Sequence, residues 1–170
     1  LDLSKLEAGA LRAHYIQSDV IRFLRIMSES FRAAAEAKNI DSFFISDVKN
    51  LSMDYDPEKL EHLLNNLVHN AIKFTETGSV TLSLKKLDDK MELKVADTGI
   101  GIPNNKQKLV FQAFKQVDGS TSRRYGGTGL GLAIVRHIAL AHDGDIKVDS
   151  LPGQGSTFSL VFPAGESTTV

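Results

Sequence analysis

The sequence predicts an α+β fold, a two-layer α/β sandwich in which helices pack on one face of a mixed sheet. Three observations predict it. Two early segments place apolar residues three and four apart, the repeat of an amphipathic helix. Later segments alternate apolar and polar residues between turn signals, as half-buried strands do. Helices come first and hairpins follow, an order that suits helices segregated to one side of a sheet.

The chain has 170 residues, enough for one ordinary domain. At this size folding hides roughly 70% of the unfolded surface, so no covalent staple is required. Hydrophobic residues make up 42% and charged residues 24%, and the net charge is −1. Neither a polyanion nor an anionic membrane is a partner such a balance attracts. The absence of cysteine excludes disulfides, thiolate metal sites and a cysteine nucleophile, and it suits a reducing, cytoplasmic setting. No apolar run reaches the ~20 residues of a membrane helix, and the opening Leu1-Asp2-Leu3-Ser4 is neither a signal peptide nor an initiator. The expectation is a piece cut from a longer parent, with any membrane anchor in the rest of that parent.

Residues 1–11 read as the tail of a helix broken at Gly9, and 12–17 as extended chain. Ser18 or Asp19 then caps a helix whose stripe is Val20, Phe23, Leu24, Met27, Phe31, Ala34 and Ala35, and Asn39 ends it. Residues 40–45 and 51–54 read as short strands. Asp56-Pro57 is a strong helix start, an acidic cap followed by proline in the first turn. Leu60, Leu63, Leu64, Leu67, Ala71 and Ile72 form the buried stripe of that helix, and Thr77-Gly78 breaks it. Residues 80–84 and 91–95 alternate around an Asp88-Asp89 turn. From 98 to 126 the chain is rich in Gly, Asn, Ser and Pro, too long an irregular stretch for a mere connection. A helix at 129–142 and strands at 145–149 and 157–162 follow, with a frayed tail from 164 to 170.

Four blocks carry polar chemistry. Asn66, Asn70 and Lys73 fall within a narrow arc of one helix, away from the leucine stripe. Two carboxamides and an ammonium suit a hard cation and a phosphate, although a solvated face has the same composition. Asp97-Thr98-Gly99-Ile100-Gly101-Ile102-Pro103 ends a strand in a carboxylate followed by glycines that admit a close ligand. Ordinary turns also read this way. Gly126-Gly127-Thr128-Gly129-Leu130-Gly131 runs into an apolar helix, where free amides and the helix dipole favour an anion; a glycine hinge is the plainer alternative. Gly153-Gln154-Gly155-Ser156-Thr157-Phe158 reads by itself as a β-turn feeding a strand. Phe111 and Phe114 anchor the irregular stretch, and Arg123 and Arg124 precede the glycine run. The five histidines, at 14, 62, 69, 137 and 142, lack metal-ligand spacing and read as surface or capping residues.

Taken in this order, the blocks resemble the conserved boxes of two-component sensor histidine kinases. Residues 66–75 resemble the asparagine box, 97–103 the first glycine box, 111–114 the phenylalanine box, 122–134 the second glycine box and 153–158 a short third one. The resemblance covers residues 1–162. It implies the Bergerat fold of the histidine kinase and gyrase-type ATPases, divided into the end of a dimerisation helix (1–11), an ATP-binding catalytic domain (12–163) with a lid at 98–126, and a flexible tail (164–170). It further implies that Asn70 and Asn66 hold Mg²⁺ on the ATP phosphates, that Lys73 contacts phosphate and that Phe74 sits by the adenine. Asp97 takes the adenine amino hydrogen bond, with Thr157 assisting through water and Gly99 and Gly101 shaping the pocket. Gly127, Thr128, Gly129, Leu130 and Gly131 cradle the phosphates, and Arg123 neutralises their charge.

The implied activity is transfer of the γ-phosphoryl group to a histidine on a separate dimerisation domain of a homodimeric parent, for relay to a response regulator or receiver domain. The lid resembles that of hybrid kinases. ATP hydrolases of the same fold carry Glu where this chain has Asn66, and an amide is no general base. A degenerate nucleotide-holding module and a serine kinase of the anti-sigma type share the fold as alternatives. No histidine here has the context of the phospho-acceptor, so the chain is expected to bind ATP as a monomer without phosphorylating itself.

Overall fold

The computed structural model describes residues 14–107 and 130–165, with side chains from 135 onward in the second segment. The expected helix tail at 1–11, Phe111, Phe114, Arg123, Arg124, Gly127, Thr128, Gly129 and the last five residues lie outside the described residues.

Strand β1 (Ile16–Asp19) leads directly into helix α1 (Val20–Ala37). Asp19 is the cap: its Oδ1 accepts the Ile21 amide at 3.0 Å and the Leu51 amide, also at 3.0 Å. One carboxylate thus starts the helix and fastens it to the strand arriving 32 residues later. Helix α1 ends at Lys38, and Asn39 turns the chain out at φ 60. Asparagine is among the few side chains that tolerate this left-handed region.

Strands β2 (Asp41–Ser46) and β3 (Ser52–Tyr55) precede helix α2 (Pro57–Lys73). As the sequence predicts, Asp56 caps α2, accepting the Lys59 amide at 3.1 Å, and Pro57 opens it. Then come β4 (Ser79–Leu87), β5 (Lys90–Asp97), helix α3 (Leu130–Ala141), β6 (Asp145–Leu151) and β7 (Gly155–Pro163). The sheet order is β2-β4-β5-β7-β6, with β2 parallel to β4 and every other pair antiparallel. β1 and β3 form a separate antiparallel pair, which the pattern of residues did not suggest.

The core lies between this sheet and the three helices. Val80, Leu82 and Leu84 of β4, Met91, Leu93 and Val95 of β5, and Phe158, Leu160 and Phe162 of β7 all point inward and are buried. Register aligns them in rows: Leu82 opposite Val95, and Val95 opposite Phe158. The leucine stripe of α2, with Val68 added, Val20, Ile21, Leu24, Met27, Phe31 and Ala35 of α1, and Val135, Ile138 and Ala139 of α3 pack against them. Alternation puts Asp97 at the open end of the inward row of β5, opposite Val80 and Ser156. Burial of the row by the helices is what takes that carboxylate out of bulk water.

At the opposite end of β7, His142 is 7% exposed, so of the two readings, surface or capping, the structure favours the second. Its Nε2 accepts the Asp56 amide at 3.2 Å, and its Nδ1 faces the Ile138 carbonyl at 3.1 Å. A neutral ring with its proton on Nδ1 satisfies both. The ring also stands edge-on to Tyr15 and Phe162. Burial holds its pKa below the ordinary histidine value, against the opposing pull of the Ile138 carbonyl and of Asp56. The folded protein therefore prefers the neutral ring. That preference contributes stability in full above the unfolded histidine pKa, and the contribution is lost as pH falls through the lower folded value. Thermal unfolding should move to lower temperature as the pH drops below about 6.5, and His142→Gln, which does not titrate, should flatten that slope. An unchanged slope in the variant would assign the acid sensitivity elsewhere.

Candidate functional site

Helix α2 carries the first group. Its apolar stripe is driven into the core, which leaves Asn66, Asn70 and Lys73 half-buried along the edge of the buried face. Asn66 donates from Nδ2 to the His62 carbonyl at 2.8 Å, which orients its carboxamide along the helix. Among the described residues, neither the Asn70 carboxamide nor the Lys73 ammonium has a hydrogen-bond or ion-pair partner. Two carboxamide oxygens and a cation therefore stand on one helical face, half shielded from water and, among the described residues, without other partners.

The C-terminal turn of α2 meets the loop after β5. Phe74, the residue closing the helix, accepts the Ile100 amide on its carbonyl at 3.2 Å. Gly99 lies so close to that carbonyl that an added Cβ would overlap the Phe74 oxygen. Gly101 has φ 73, and a Cβ there would strike the Leu151 carbonyl. Glycine at these two places is a requirement of geometry. The loop is fixed further by Ser150, whose Oγ accepts the Ile102 amide at 2.7 Å, and by Gln107, whose Nε2 donates to the Ile102 and Ser150 carbonyls, both at 3.0 Å.

Asp97 stands at the head of this loop. Its Oδ1 accepts the Gly99 amide at 2.9 Å and the Ser156 amide at 3.3 Å. Its Oδ2 has no hydrogen-bond donor among the described residues. Burial raises the pKa of this carboxyl, and the two amides only partly offset the rise. A partly desolvated carboxylate with one oxygen uncommitted among the described residues is an acceptor that a ligand donor would satisfy.

Thr157 is not brought to this carboxylate. In the β5–β7 register Thr157 lies opposite Ala96 and Ser156 lies opposite Asp97, so strand alternation puts Thr157 on the other face of the sheet. The residue beside Asp97 is Ser156, which is 7% exposed and within 2.8 Å of Ser150 Oγ through its own hydroxyl. Leu130 and Gly131 form the first turn of α3, so their place at a helix N-terminus agrees with the sequence. A separate cavity of about 330 Å³, lined by Tyr15, Met53, His142 and Phe162 among others, lies at the opposite end of β7.

Comparison with known proteins bears on what such a site serves. The sequence profile of the family described as histidine kinase-, DNA gyrase B- and HSP90-like ATPase matches residues 55–166. A hybrid signal transduction histidine kinase D of Dictyostelium discoideum is 34% identical over 96% of this chain and 11% of its own length. The circadian input-output histidine kinase CikA of Synechococcus elongatus is 38% identical over 96% of this chain and 22% of its own. The chain thus spans between about a tenth and a quarter of the curated relatives it matches. Among solved structures, full-length ShkA in complex with AMPPNP superposes with a TM-score of 0.85 at 30% identity, over 98% of this chain and 34% of that one. The nucleotide-free catalytic domain of the histidine kinase ThkA superposes at 0.78 and 27% identity, over 89% of this chain and 97% of that one.

The contact between Gly99 and the end of α2 gives a direct test of the local geometry. Gly99→Ala should destabilise the protein by about 1–3 kcal/mol, as other insertions into packed sites do. Urea unfolding measures this, and a neutral effect would mean that the loop stands off from Phe74.

Proposed function

The chain belongs to the family of histidine kinase-, DNA gyrase B- and HSP90-like ATPases, and we propose that it is the Mg-ATP-binding catalytic domain of a sensor histidine kinase, transferring the γ-phosphoryl group to a histidine of a separate dimerisation domain. The observation that carries the reading is the Asp97 carboxylate, half-buried at the end of β5 with its Oδ2 free of donors among the described residues. An adenine amino group is a donor of the right kind for that oxygen. Phe74, at the end of α2, supplies an apolar neighbour for the base.

The polar face of α2 suits the phosphates. Asn66 and Asn70 offer hard carboxamide oxygens of the kind Mg²⁺ accepts, and the Lys73 ammonium offers charge to a phosphate. These residues would hold the ion, which when bound neutralises phosphate charge and fixes the phosphate chain. Phosphoryl transfer asks a protein mainly for position and for neutral surroundings. Asn66 supports transfer to an incoming side chain over hydrolysis. Its amide takes no proton from water, and its Nδ2 is already engaged with His62. Arg123, Gly127, Thr128 and Gly129, outside the described residues, are assigned to phosphate contact on the resemblance of their motif. Leu130 and Gly131 join them, at the start of α3. For the base, Ser156 replaces Thr157 as the hydroxyl residue next to Asp97. The partners on this reading are the dimerisation domain and a response-regulator aspartate. No helix among the described residues is long and apolar enough to cross a membrane.

Asp97→Asn separates binding from folding. The variant keeps an oxygen for the Gly99 and Ser156 amides but presents an amide donor where adenine also donates. Calorimetric titration should show Mg-ATP binding weakened about 10–100-fold. The apo variant should melt no lower than wild type at neutral pH. The raised pKa means that the folded state disfavours the charge, so at neutral pH the ionised Asp97 detracts from stability. Equal affinity in variant and wild type would remove Asp97 from the site.

Incubation with γ-labelled ATP should leave no acid-labile, base-stable phosphate on this chain alone. Stable label on one of its five histidines would contradict the assignment of the acceptor to another domain.

A further inference from the structure

The last carbonyls of a helix outrun its supply of backbone amides, and those of helix α2 are satisfied in several ways. The Asn70 carbonyl accepts the Phe74 amide at 3.0 Å, and the Ala71 carbonyl accepts Thr75 Oγ1 at 2.7 Å. The Ile72 carbonyl accepts the Thr75 amide at 3.4 Å, and both it and the Lys73 carbonyl receive a further donor from another element. Lys38, the residue that closes α1, donates from Nζ to the Ile72 carbonyl at 2.7 Å and to the Lys73 carbonyl at 2.8 Å. Its ammonium also sits where the helix dipole is negative. One residue further on, the Phe74 carbonyl holds the Ile100 amide and abuts Gly99, whose own amide is bonded to Asp97. A short chain of contacts thus runs from Lys38 through the last turn of α2 to the loop that orients the Asp97 carboxylate.

We propose that Lys38 is a positioning residue for the nucleotide, acting at a distance by clamping the end of α2 so that Phe74 and the Gly99–Gly101 loop hold Asp97 in its binding geometry. The inference rests on the nucleotide reading given above and adds a residue that none of the sequence motifs contains. Lys38 is not a ligand contact in this account: its ammonium is turned to the Ile72 and Lys73 carbonyls. Without it, two helix-end carbonyls lose a charged donor. The turn is then free to unwind by a residue, and Phe74 moves with it. The apolar stem of Lys38 is not what matters, so Lys38→Met keeps the packing and removes the clamp, whereas Lys38→Arg restores a cation with several donors.

The test combines Mg-ATP calorimetry with residue-resolved amide hydrogen exchange on the wild-type chain, K38M and K38R. Lys38→Met should weaken binding about tenfold and speed exchange of the Ile100 and Gly99 amides by a similar factor. The Ile21 amide, held by Asp19 at the far end of α1, should be unchanged. Lys38→Arg should recover most of both losses. Equal binding by wild type and K38M overturns the role of Lys38 and leaves the nucleotide reading standing. Exchange accelerated evenly across α1, β4 and β5 also overturns it, because the lysine would then serve global stability alone. A wild-type chain that binds no Mg-ATP overturns the nucleotide reading, and this inference with it.

Discussion

The site depends on one joint, the contact between the last turn of α2 and the loop that follows β5. The Phe74 carbonyl accepts the Ile100 amide, and Gly99 fits against it only because glycine has no side chain. The joint unites two surfaces that come from opposite demands of the fold. Helix α2 is amphipathic, so burying its leucines leaves Asn66, Asn70 and Lys73 at the margin of the core. Strand β5 is half-buried, so its alternation carries Asp97 to the open end of the inward row, where burial pushes its pKa up. Neither surface alone would single out a ligand. The joint brings the end of the helix that carries the carboxamides and the ammonium against the loop headed by the partly desolvated carboxylate.

The far end of the domain shows the complementary arrangement. Asp56, His142, Tyr15 and Phe162 form a closed set there, in which the buried imidazole has a partner on each nitrogen. Burial alone would raise the pKa of the Asp56 carboxyl, but the His14 and Lys59 amides and the Lys59 ammonium bring it below the ordinary value. At this end the polar groups are satisfied by protein and serve stability. At the Asp97 end an acceptor is left over among the described residues, which is the observation behind the proposed nucleotide site.

Much of this was legible in the sequence because it rests on local rules. Asp56-Pro57 announced α2, the apolar spacing announced its buried stripe, and the period-two runs announced β4 and β5. Asp97 was legible as a strand-end carboxylate before glycines. Thr157 was expected to assist Asp97, but the side-chain period of a strand is two, and a step of one residue moves a group to the other face. Only the register, which pairs Asp97 with Ser156, decides between them. Lys38 and His142 were not legible. Their partners lie 34 and 86 residues away, and a lone lysine at a helix end or a lone histidine after one carries no local mark of the contact. The β1–β3 pair escaped notice for the same reason.

The most direct measurement is a map of backbone amide chemical shifts during titration with Mg-ATP. The account predicts saturable changes at Asn70, Phe74, Gly99, Ile100, Gly101 and Ser156. Tyr15, Asp56 and Phe162, around the cavity at the opposite end of β7, should stay near their unliganded positions. Changes concentrated at that cavity, or none with folded protein at millimolar nucleotide, would contradict it.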